Sequence, residues 1–95
     1  MTLIGLTVKN EKEELSKEAD VIINPAFLCM YMRDNSKDYT SIVVSGCSPF
    51  PVAEHPDIIS NLIRLSKVPN LGVPEKFTVL TFNNMSDYAE FLKNQ

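Results

Sequence analysis

YTSIVVSGCSPFPVAEHPDIISNLIRLS, residues 39–66, can be read without a break as strand, turn, short strand and helix. Thr40, Ile42 and Val44 alternate with Tyr39, Ser41, Val43 and Ser45, the period of two that a half-buried strand requires. Gly46 permits the backbone geometry of a turn, and Ser48-Pro49 favours turn initiation. Residues 50–53, set among prolines, form a short extended piece. Pro56 suits the first position of a helix, where a missing N–H costs nothing, and Asp57 places negative charge at the positive end of the helix dipole. His55 is thereby left at the N-cap. In the helix over 56–66, Ile58, Ile59, Leu62, Ile63 and Leu65 form one broad apolar stripe, while Ser60, Asn61 and Arg64 face away. A helix of this kind packs on a sheet.

Working outward, residues 2–8 (TLIGLTV) alternate loosely and favour a first strand. An acidic connection follows over 10–19, then a short apolar run over 20–24 that Pro25 stops. Residues 34–38 (DNSKD) have the composition of a hairpin loop between the strand at 27–32 and the strand at 39–45. After the helix, 67–75 carries prolines and a glycine and reads as a loop. Residues 76–82 (KFTVLTF) have strong strand propensity, and a terminal helix follows, with Asn84 or Ser86 as cap and Tyr88, Phe91 and Leu92 as its inner face. Strands early and helices late predict a single α+β domain over 1–95: a small, mainly antiparallel sheet or partly rolled barrel with two packing helices.

The segment FLCMYM, residues 27–32, is apolar on both faces, with Leu28, Met30 and Met32 on one and Phe27, Cys29 and Tyr31 on the other. A strand covered on both sides, or one lying in an interface between molecules, has this pattern. Phe27, Leu28, Met30, Tyr31 and Met32 are therefore the candidate interaction residues.

Composition narrows the function. With 44% apolar and 22% charged residues the chain has the usual make-up of a soluble globular domain, and no apolar run is long enough to span a bilayer. A soluble, cytoplasmic protein is expected. The net charge is −3 and the nine basic residues are scattered, so a phosphate backbone finds no basic patch and nucleic-acid binding is disfavoured. The three glycines lie far apart, which removes dinucleotide and phosphate-loop motifs.

Cys29 and Cys47 match neither CxxC redox spacing nor a zinc-finger spacing, and free thiols are expected. Cys47 and His55, with Glu54 or Asp57 as an orienting group, would be the elements of a cysteine-dependent enzyme, and Cys29, Cys47 and His55 with a carboxylate would suffice in number for zinc. No local cysteine-hydrolase signature surrounds Cys47, and no closely spaced ligand pair is present. The preferred reading makes Cys47 a turn residue and His55 a helix-start residue, with no catalytic residues, no metal and no cofactor.

Leu6-Thr7, Asn24-Pro25, Thr40-Ile42-Val44 and Val52-Ala53-Glu54 stand where the small flagellar swarming-motility (FlbD-like) family carries similar residues, so the chain over 3–65 resembles that family. The chain departs from that pattern through the longer connection at 10–19 and the added strand and helix at 66–95. A strand-rich DNA-reading module of the LytTR type is a second analogue, opposed by the acidic charge balance. The swarming-motility resemblance implies a small, β-rich, non-enzymatic accessory domain, often oligomeric. The expected function is thus contact with a protein partner or a second copy, with the cysteine-dependent enzyme or metal site and the nucleic-acid module as alternatives.

Overall fold

A computed structural model describes residues 2–9, 20–33, 36–68 and 78–94. The acidic connection at 10–19, most of the loop at 67–75 and the first part of the hairpin loop at 34–38 lie outside the described residues. The chain is α+β, as its pattern requires. Its elements run β1 (Leu3–Leu6), β2 (Val21–Ile23), a single 3₁₀ turn (Pro25–Phe27), β3 (Leu28–Met32), β4 (Thr40–Val44), β5 (Phe50–Val52), α1 (Pro56–Ser66), β6 (Val79–Leu80) and α2 (Met85–Lys93).

The expected mainly antiparallel pairing is observed, divided among the described residues into two three-stranded sheets, ordered β2-β1-β6 and β3-β4-β5, neither of which closes into a barrel. All pairings are antiparallel except β1 with β6, which is parallel. The long excursion from β1 through the hairpin and α1 returns the chain on the far side of β1, a crossover that brings β6 back in the same direction.

The two sheets meet along β1. Leu3 donates its N–H to the Thr78 carbonyl on the β6 side. Because alternate residues of a strand direct their backbone groups to the same edge, Thr7 and Lys9 present theirs to that edge too. There β5 takes over: Ala53 donates to the Thr7 carbonyl at 2.8 Å, Lys9 donates to the Pro51 carbonyl at 3.0 Å, and Val8 bridges Val52.

The helix over 56–66 is observed with the boundaries its sequence predicts. His55 is the N-cap, its Nδ1 accepting from the Asp57 N–H at 3.2 Å, and Pro56 opens the first turn. Ile59, Leu62 and Leu65 are buried, Ile58 and Ile63 pack half-buried beside them, and Ser60, Asn61 and Arg64 are exposed. This face meets β1 and α2. Ile4 and Leu6 of β1, Ile42 of β4, Val52 of β5, Leu80 of β6 and Tyr88 of α2 complete a core shared by both sheets. Each such side chain contributes about 1.5–3 kcal/mol on burial, which explains how short strands hold together.

Alternation in β4 follows expectation: Thr40 and Ile42 are fully buried and Val44 packs on the core. Asn84 occupies the N-cap position of α2, but its side chain reaches backwards instead of capping. Its Oδ1 accepts from the Thr81 N–H at 2.8 Å and its Nδ2 donates to the Val79 carbonyl at 2.9 Å, pinning the end of β6 to the start of α2. Ser86 lies inside the first turn of the helix.

Candidate functional site

The two apolar faces expected of residues 27–32 are rearranged by a bulge. β3 pairs with β4 as Leu28 to Val44, Met30 to Val43, Tyr31 to Ile42 and Met32 to Ser41, so Cys29 is the extra residue. An extra residue reverses the in-out alternation beyond it. Leu28 and Tyr31, assigned to opposite faces by strict alternation, consequently both pack towards the core. Tyr31 is further fixed by a 2.6 Å hydrogen bond between its hydroxyl and the Ser60 hydroxyl on α1. Met30 and Met32 point outward and are 48% and 55% exposed, and Phe27, in the 3₁₀ turn that enters the strand, is 57% exposed.

β3 is also an edge. Its only partner among the described residues is β4, so one row of backbone N–H and C=O groups carries no neighbouring strand. The outer surface of the hairpin continues from Met32 into an open depression of about 160 Å³ with Lys37, Tyr39 and Ser41, where the Lys37 ammonium lies 5.7 Å from the centre of the Tyr39 ring. At the same end Lys9 bonds Asp38 at 3.1 Å, which holds the Asp38 carboxyl below its ordinary pKa. On the other side of Phe27 an open groove of about 190 Å³ is walled by Ile22, Val44, Cys47 and Phe50. Ile22, at the β2 edge, is 56% exposed.

Cys47 and His55 have separate surroundings. Cys47 is an exposed free thiol in the turn after β4, its N–H donating to the Val44 carbonyl, with Gly46 beside it at φ 83°. His55 is engaged at the start of α1, with Nδ1 3.5 Å from the Asp57 carboxylate. No hydrogen bond joins the two residues. Cys29 is likewise an exposed free thiol, its Sγ 3.8 Å from the Phe27 carbonyl. Among the described residues no three histidine, cysteine or acidic side chains gather closely enough to hold a metal ion.

Glu54 is the residue whose position the sequence does not disclose. It is 6% exposed, and both carboxylate oxygens accept from the Thr7 N–H, at 2.9 and 3.0 Å. Its own carbonyl accepts from the buried Thr40 hydroxyl at 2.7 Å. A carboxylate so committed to the backbone of β1 does not orient His55. Its place next to His55 at a helix start points to a cap or an orienting carboxylate rather than to a backbone donor 47 positions away.

No helix among the described residues is long and apolar enough to cross a membrane. Comparisons with protein-family models, with curated proteins and with solved structures return no match.

Proposed function

We propose that this chain is a small, non-enzymatic accessory or regulatory domain that works through protein contact, and that the contact is self-association through β3 and the turn that enters it. The observation that carries this reading is the row of half-exposed Phe27, Met30 and Met32 along an edge strand. A large apolar side chain held in water forfeits about 1–2 kcal/mol that a partner surface would recover, and methionine adapts its shape to such surfaces. Leu28 and Tyr31 belong to the same strand but act from beneath, fixing it on the core. The resemblance to the swarming-motility family, which implies an accessory and often oligomeric domain, points the same way and assigns no role in motility.

The exposed area is modest. Three side chains at about half exposure present a few hundred Å², less than the roughly 800 Å² per partner of a standard stable interface. The association is therefore weak and concentration-dependent. Sedimentation velocity across a micromolar to millimolar series tests it: the weight-average sedimentation coefficient rises with concentration for the wild type and stays at the monomer value for M30K/M32K. A wild-type chain that stays monomeric throughout overturns the proposal.

A further inference from the structure

We infer that Glu54 is a carboxylate latch, and that the seam it closes between the two sheets opens as a unit while each sheet stays intact. The seam is short. Among the described residues, residues 7–9, which continue from β1, are joined to residues 51–53 by one residue bridge, Val8 with Val52, and by two backbone hydrogen bonds, Ala53 to Thr7 and Lys9 to Pro51. Within the sheets the pairing runs over three residues between β1 and β2, two between β1 and β6, three between β4 and β5, and four around the Cys29 bulge between β3 and β4.

At the point where β1 leaves β6 for β5, the Thr7 N–H has no carbonyl to bond and is received by both oxygens of Glu54. On the opposite edge the next N–H, that of Val8, is received by the Asp20 carboxylate at 3.1 Å. Two consecutive backbone donors just beyond β1 are thus held by side chains, one buried and one exposed, where the ladder gives them no partner. Removing the buried acceptor leaves the Thr7 N–H orphaned inside the protein, a cost that any opening of the seam relieves. Regions whose backbone bonds are few and locally supported open first, and this one couples Thr7, Lys9 and Ala53 in a single event.

Residue-resolved amide hydrogen exchange on the full chain tests this. In the wild type the amides of Thr7, Lys9 and Ala53 exchange with one shared opening free energy that lies below that of the β1–β2 and β3–β4 ladders, and in Glu54→Ala the three exchange at least tenfold faster. Glu54→Gln, which keeps one acceptor oxygen and nearly the same volume, accelerates the same three amides to a smaller degree and serves where the alanine variant fails to fold. Opening free energies of the three amides in the wild type that differ from one another or equal those of the ladders show that the seam does not open as a unit and overturn the latch. Unchanged exchange at Thr7, Lys9 and Ala53 overturns it equally.

Discussion

Leu62→Ala tests the packing that holds the fold together. Leu62 sits at the middle of the α1 stripe, is fully buried, and belongs to the core shared by β1, β5 and α2. Truncation removes three carbons, worth about 0.8 kcal/mol each in transfer free energy, and adds a cavity cost wherever the neighbours cannot collapse, giving about 3 kcal/mol within a range of roughly 2–5. A domain of this size is stable by about 5–15 kcal/mol, so the loss is a large share of the total and corresponds to a fall of about 12–24 °C in Tm. Urea denaturation followed by circular dichroism measures it, with an unchanged slope showing that only stability has moved. The exposed neighbour Arg64, whose guanidinium donates to the Asn61 side-chain oxygen at 3.3 Å, supplies the control, and Arg64→Ala changes stability by less than about 0.5 kcal/mol. A Leu62→Ala cost below 1 kcal/mol would refute the placement of α1 over the sheets.

A double-mutant cycle on Tyr31→Phe and Ser60→Ala measures a coupling of about 0.5–1.5 kcal/mol in urea denaturation, because the 2.6 Å hydroxyl pair is the polar tie between β3 and α1. His55→Ala lowers stability by about 0.5–1 kcal/mol through loss of the cap, and His55→Asn restores it, as thermal melts of the three proteins show. The Asp38 carboxyl is held below its ordinary value of 3.8 chiefly by its hydrogen bond to Lys9 and by that residue's charge, so the pair's small contribution is present above that value and is lost as pH falls below it. Lys9→Met removes that part of the acid-side decline in a pH series of melts. Burial raises the Tyr88 phenol above 10.0, so its share of stability is complete below that pH and declines as pH rises further, and Tyr88→Phe flattens the alkaline limb of the same series.

Local chemistry made much of the fold legible. Pro56, Asp57 and the 3.6-residue stripe set the start and buried face of α1, and alternation from Thr40 to Val44 set the buried face of β4, since both depend only on near neighbours. What could not be read depends on distant pairing. The bulge at Cys29 exists because β3 must match β4, and it moved Leu28 and Tyr31 to the core side while leaving Met30 and Met32 outside. The division into two sheets depends on β1 exchanging β6 for β5 at Thr7, and no residue near Thr7 in sequence announces it. For the candidate site, the apolar character of Phe27, Met30 and Met32 is legible in the sequence, whereas the hydrogen bonds from the Thr7 N–H to Glu54 required the folded chain.

The claim on which the functional reading rests is that the outward face of β3 is where this protein meets a second copy. Methyl spectra of the ¹³C-methionine-labelled chain at increasing concentration test it most directly, because Met30 and Met32 lie on that face while Met85 packs half-buried against the core. The account predicts that the Met30 and Met32 methyl resonances move progressively and saturably as concentration rises, with Met85 fixed. Resonances of Met30 and Met32 that hold their positions from micromolar to millimolar concentration would contradict it.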